Sequence, residues 1–418
     1  MRNFIALPKQ SRSAMQGVQA AAPEQKRQHF GQRVATTEKT EALKEIGLEE
    51  TPTLATFPKT RDRFRRLDYV GAYVVDAQNR RKAERAQRML EDDYLIIPDV
   101  QLALPETNVA QRYLRRPTRE RYWPVESGIE AAHNDGFTGQ NVLVGILDTG
   151  CDADHIELRD KRIDFRYVPL DLGEPRTVRG FDVSGHGTHV TGIVGGKNIG
   201  VAPDAELLVA SVIESETHKT SLKRIVIALN WMLSHFSREE NLSKPLIINM
   251  SLGFLPQWVN NDQIEPVING ISNILNVLVE DFDALPVVAI GNDGPGRMRA
   301  PGYFPETLSV GAVDDNLKPA PFSGGGVSPI TGEVEPNIVG YGVNVLSSLE
   351  RDIDKRSIYA NLDGTSMATP YVSGIAALLA SRDPSLQGMA LRQKLLDDAL
   401  AIDEPANRIG AGLARFLP

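Results

Sequence analysis

Five short apolar runs recur along the chain with helix-like segments between them, and this alternation restricts the fold more than any other property. Residues 142–147, 207–212, 247–250, 287–290 and 308–313 are each strand-length and almost free of polar interruption. Residues 222–236, which carry Trp231, and 267–279 have the spacing of helices. A run without polar alternation suits a strand covered on both faces. Strands alternating with helices imply a mainly parallel sheet with right-handed crossovers. The expected fold class is therefore α/β, and in open sheets of that kind functional groups collect at the carboxyl ends of the strands.

One chemistry-bearing residue stands at such an end, and two more stand at helix starts. Val144-Gly145-Ile146-Leu147-Asp148-Thr149-Gly150 closes the first run on Asp148. Ser184-Gly185-His186-Gly187-Thr188-His189-Val190 opens a helix on His186. Gly364-Thr365-Ser366-Met367-Ala368-Thr369-Pro370 sets Ser366 between a glycine turn and a helix of small apolar residues. A serine hydroxyl is a weak nucleophile at neutral pH and needs a base within hydrogen-bond reach, itself oriented by a carboxylate. Ser366, His186 and Asp148 supply those three types. A helix N-terminus at Ser366 favours developing negative charge, and Pro370 is expected within the first helical turn. Read singly, each segment has a plainer meaning. Asp148-Thr149-Gly150 equally fits an Asx turn, the histidine segment a turn or half a metal site, and Gly364-Thr365-Ser366 a helix cap.

Taken together the three segments resemble the signature blocks of the subtilisin-like serine proteases (subtilases), in the order Asp, His, Ser, over roughly residues 125–416. A fourth block, Val287-Val288-Ala289-Ile290-Gly291-Asn292-Asp293-Gly294, resembles the family's strand and turn bearing the oxyanion-hole asparagine. The resemblance implies catalytic roles for Asp148, His186 and Ser366, and an oxyanion role for Asn292. Alone, Asn292 fits a left-handed turn residue between glycines. His189 is read as a packing residue. Ile247-Ile248-Asn249-Met250-Ser251-Leu252-Gly253 resembles the segment that pairs with an extended peptide. Ser251, Leu252 and Gly253 are thus expected to bind substrate, with Ala289 and Gly291 across the primary pocket. The implied activity is endopeptidase cleavage of protein substrates through an acyl-enzyme. The alternative is a latent or inactive subtilase-fold protein that serves as a binding module or awaits release by a partner.

Departures from the family pattern are visible. Phe254 follows Ser-Leu-Gly where glycine is common, which predicts a narrower cleft rim. The stretch 195–201 is short where many subtilases insert a calcium loop. No cofactor is expected, and calcium has no clear loop, with Asp152 a single matching carboxylate.

The first 60 residues are polar and read as flexible, with a short helix around 38–46. Residues 61–105 read as a small α+β domain, with strands at 69–75, 94–97 and 100–104 and a helix over 78–92. This resembles the family's inhibitory propeptide, which places 102–105 toward the cleft and self-cleavage within 104–120. A permanent N-terminal domain is the alternative. Residues 106–124, with five arginines, read as an exposed linker, and 125–418 as the catalytic domain.

Residues 1–125 carry a net +7 and the remainder −15 within a total of −8, so the front segment is expected to rest on an acidic enzyme. Aromatic residues interleave too thinly with the basic ones for nucleic acid to be a partner. No apolar run is long enough for a membrane span. The early run 4–7 is too short for a signal-peptide core. With its single cysteine, Cys151, the chain has no intrachain disulfide framework, and a cytoplasmic location is expected.

Overall fold

The computed structural model describes residues 1–9, 37–51, 61–214 and 219–418. Its N-terminal unit is a five-stranded sheet built from β1 (Asn3–Pro8), β2 (Glu49–Glu50), β3 (Arg63–Leu67), β4 (Ala72–Asp76) and β5 (Tyr94–Pro98), in the order β2-β3-β4-β1-β5. β1 pairs antiparallel with both β4 and β5. The expectation of flexibility over 1–60 therefore fails for Asn3–Pro8. The reason is burial on both faces. Phe4 and Ala6 pack with Leu43, Ala83 and Leu90 under the helices Thr37–Glu45 and Arg80–Leu90. Ile5 and Leu7 pack with residues of Leu222–Phe236 and Ile264–Asn276 in the larger unit. A strand between two layers has no polar alternation, so a four-residue apolar run in a polar region was the signal. The helix expected around 38–46 is present at Thr37–Glu45. Most of the remaining residues of the 1–60 expectation, 10–36 and 52–60, lie outside the described residues.

Two further strands follow, β6 (Gln101–Ala103) and β7 (Asn108–Tyr113). The segment read as a plain linker thus contains a strand. Its side chains are largely exposed, which is why it carries no hydrophobic pattern.

The large unit is a three-layer α/β structure. Its sheet contains β8 (Leu143–Asp148), β9 (Ile163–Tyr167), β10 (Arg176–Thr177), β11 (Glu206–Ser211), β13 (Leu246–Met250), β14 (Ala284–Ala289), β15 (Leu308–Val313) and β18 (Ile338–Tyr341), in the order β10-β9-β11-β8-β13-β14-β15-β18. Every neighbouring pair is parallel except β9–β10. Val144 and Ile146 join the core under the helices His186–Gly195 and Thr365–Arg382. Leu143 and Leu147 join the core under Leu222–Phe236 and Ile264–Asn276. From β8 the chain builds β9 and β11 on one side, then crosses to β13 on the other. β8 is therefore the topological switch point, and Asp148 ends it. Smaller strands complete the architecture. β12 (Lys219–Ser221) pairs with β6, β16 (Gly326–Val327) with β17 (Val334–Glu335), and β20 (Ile358–Asp363) lies between β19 (Val345–Leu349) and β7.

The contact between the two units is chiefly apolar rather than the charge-matched surface expected. Arg65 does pair with Glu174 at 2.6 Å, but Asp99 pairs with Lys223 in the opposite sense. Among the described residues no helix is long and apolar enough to cross a membrane.

Candidate active site

Asp148 and His186 meet at the carboxyl end of β8. His186 Nδ1 lies 2.8 Å from Asp148 Oδ1, and both residues are buried. The Thr149 backbone N–H donates to the same carboxylate oxygen at 2.7 Å, and the Thr149 hydroxyl at 3.2 Å. Glycines make the approach possible. A methyl group on Gly187 would lie 2.1 Å from the Gly150 carbonyl oxygen, so the helix start rests directly on the turn after Asp148. Burial alone lowers the basicity of His186. The charge and hydrogen bond of Asp148 outweigh it and hold the imidazole pKa above its ordinary value. His186 Nε2, the nitrogen facing away from Asp148, has no hydrogen-bond partner among the described residues.

Ser366 is the second residue of the helix Thr365–Arg382 and is fully buried. That helix packs against His186–Gly195. The Ser366 hydroxyl donates to the Ser251 carbonyl at 3.5 Å and not to His186, so the serine–imidazole bond is unmade in this state. Pro370 is the sixth helical residue rather than part of the first turn. A proline there removes the N–H that the Ser366 carbonyl normally accepts. The Ser251 hydroxyl replaces it, donating to that carbonyl at 3.2 Å.

Asn292 faces the same helix start. Its Oδ1 accepts from the Thr365 N–H at 2.9 Å and the Thr365 hydroxyl at 2.7 Å, which turns its Nδ2 outward. That Nδ2 donates to the Glu106 carbonyl at 2.6 Å. The left-handed conformation in this turn belongs to Gly291 (φ 106°) and not to Asn292.

The chain's own segment 101–113 lies along these groups. Ala103 and Gly253 exchange two backbone hydrogen bonds of 2.9 Å. Gly253 therefore pairs with an extended strand, and Leu252 is buried in the core beneath it. The Leu104 carbonyl accepts from Arg299, and β7 continues antiparallel along β20, the strand that leads into Ser366. Ala289 ends β14, and Gly291 follows it with its backbone against the Arg299 stem. Phe254 does not narrow the rim. Its side chain is buried, because its backbone pairs with Ala300 and turns the ring into the core.

Several residues escaped the sequence reading. Asp182 accepts from the Thr188 N–H and hydroxyl, both at 2.6 Å, and from the Thr149 hydroxyl at 2.7 Å. It therefore ties the histidine helix to the Asp148 turn. An acidic residue four places before a helix start was the available cue. Thr365 and Arg299 had no local signal. His189, read as a packer, sits with Nε2 3.1 Å from the Val345 carbonyl and 3.0 Å from that of Ala360, and burial lowers its pKa to about 3. Cys151 is a buried free thiol whose pKa burial pushes up. Asp152 bonds to Arg351 Nε at 2.9 Å. Among the described residues no group of three or more His, Cys, Asp or Glu is placed to hold a metal ion.

A family profile for the subtilase family, Peptidase_S8, matches residues 139–412, well over half of the chain. The chain belongs to the subtilase family. It is 42% identical over 367 residues to subtilisin-like protease PopC of Myxococcus xanthus (strain DK1622), covering 84% of this chain and 77% of that protein. It is 35% identical over 288 residues to Subtilisin Savinase of Lederbergia lenta, covering 68% of this chain and 92% of that protein. M-protease of Shouchella clausii (strain KSM-K16) is 35% identical over 288 residues, 68% of this chain and 65% of its own length. The chain is thus a serine endopeptidase of the subtilisin type.

Proposed function

We propose that this subtilase hydrolyses peptide bonds of protein substrates through an Asp148–His186–Ser366 triad and an acyl-enzyme, with its own N-terminal segment lying in the cleft before activation. The observation that carries the reading is the Asp148–His186 contact with His186 Nε2 left unpartnered beside the helix that presents Ser366. His186 takes the Ser366 proton as the hydroxyl oxygen attacks the carbonyl carbon. Asp148 holds the proton-bearing Nδ1 and stabilises the imidazolium. The carbonyl electron pair moves to oxygen, where the Asn292 amide donates to it. His186 then delivers the proton to the leaving amine, and water repeats the sequence to release the acid. A serine–histidine bond that is not yet made is compatible with this role, because catalytic hydrogen bonds are often long in the resting structure and tighten only on the way to the transition state.

The Glu106 carbonyl already sits on the Asn292 amide, and Thr107 lies close to Gly364, where a methyl group would come within 3.1 Å of its Cγ2. This presents Glu106–Thr107 as the bond for self-processing. Ser251, Leu252 and Gly253 form one wall for substrate and Ala289 and Gly291 the other. Casein digestion tests the reading. Activity is expected in the full-length protein and is expected to vanish in both Ser366→Ala and His186→Ala. Full activity in either variant contradicts the triad.

A further inference from the structure

Arg299 holds a place in the cleft that neither the catalytic reading nor the pocket walls account for. Its backbone N–H donates to the Ile290 carbonyl at 2.9 Å, in the wall formed by Ala289 and Gly291. Its stem then runs between the two walls. A methyl group on Gly291 would lie 2.9 Å from Arg299 Cγ, and one on Gly253 3.0 Å from Arg299 Cβ. Both facing positions are glycine, and the arginine stem occupies the room that their side chains would take. Arg299 is only 7% exposed.

The guanidinium is fixed on three sides. Nε donates to Asp293 Oδ2 at 2.7 Å and Nη2 to Asp293 Oδ1 at 3.0 Å, a two-pronged pair. The Trp258 ring lies 5.3 Å from the guanidinium carbon. Nη1 donates to the Leu104 carbonyl at 3.2 Å, a main-chain atom of the segment in the cleft. An arginine held so rigidly cannot swing aside for a bulky guest. Pro105 is buried, whereas Glu106, which precedes the bond presented at Asn292, is exposed.

We propose that Arg299 is a specificity-determining residue, closing the primary pocket to large apolar side chains and holding a main-chain carbonyl of the bound polypeptide. The favoured substrates are extended polypeptides with a short side chain, or a polar one that stays in solvent, before the cleaved bond. The proposal rests on the reading of segments 251–253 and 289–291 as pocket walls.

The test uses the full-length protein, incubated until its N-terminal processing is complete, and two blocked fluorogenic peptides that differ only by Ala or Phe before the cut. Wild type is expected to favour Ala over Phe by about tenfold or more in kcat/KM, within the range a few methylenes command. The double variant Asp293→Ser/Arg299→Ser removes the stem without stranding a half-buried carboxylate, and is expected to shift the ratio toward Phe by about tenfold. Arg299→Lys keeps the stem but lacks the fork. It is expected to retain the Ala preference with a raised KM, and it keeps the question open to decision if the double variant does not fold. An unchanged Ala-to-Phe ratio in a folded double variant overturns the proposal, as does a Lys variant that takes Phe as readily as Ala. Failure of the unaltered protein to cleave either peptide strikes instead at the protease reading on which the proposal rests.

Discussion

The imidazole of His186 experiences two opposed influences, burial that disfavours its charge and a carboxylate at 2.8 Å that favours it, and the carboxylate wins. The base must be neutral to accept a proton. Activity is therefore expected to fall on the acid side through an inflection above the ordinary histidine value of about 6.5. In Asp148→Asn the inflection is expected below that of wild type, with kcat reduced by about 10⁴, the loss seen when another serine protease loses its triad aspartate. A pH profile of kcat/KM checks both, and an unmoved inflection contradicts the assignment. If the Asn292 amide serves the oxyanion as proposed, Asn292→Ala is expected to lower kcat by about 10²–10³, a magnitude measured on a relative in this same family. Thr365→Val removes the hydroxyl that fixes the amide's rotation at 2.7 Å, leaving the backbone donor at 2.9 Å. It is expected to lower kcat by about fivefold with KM little changed, since one neutral hydrogen bond contributes roughly 1 kcal/mol. A rise in KM alone would assign Thr365 to substrate binding instead.

At the scale of elements, Asp148, His186, Ser366 and Asn292 are legible as candidates because each stands in a short pattern contained within one strand end, helix start or turn. The parallel sheet was legible because strands buried on both faces write themselves as unbroken apolar runs. What stayed hidden depends on contacts between distant segments. Glu106 and Asn292 are 186 positions apart, and nothing local in either stretch announces their bond. β1 was missed because four apolar residues inside a polar region carry too little periodicity to be distinguished from a passing cluster. Its position makes a prediction. Ile5 and Leu7 face the helices Leu222–Phe236 and Ile264–Asn276, so Ile5→Ala removes contacts that clamp the N-terminal sheet on the enzyme. The loss is expected to be about 2–5 kcal/mol. It should appear as easier proteolysis of the N-terminal unit and a shorter lag before activity, with the final specific activity unchanged. An unaltered lag would mean that this face does not restrain activation.

Across the whole molecule one continuous chain runs from the N-terminal sheet past Gly253 and Asn292 and onto the strand before Ser366. Ala103 pairs with Gly253, Glu106 meets Asn292, and Asn108–Tyr113 pairs with Ile358–Asp363. If substrate binds along 251–253 as proposed, it competes with segment 101–113 for the same backbone donors and acceptors. If the cleft processes its own segment, the new N-terminus is expected at Thr107, read by N-terminal sequencing of the active form. Persistence of the uncut chain at full activity would oppose that order of events. The central claim is that Ser366 is the nucleophile. Its most direct test is mass-spectrometric mapping of the adduct formed by a fluorophosphonate probe. One adduct is expected, on Ser366, absent from Ser366→Ala and His186→Ala. An adduct on another residue, or equal labelling of Ser366→Ala, contradicts it.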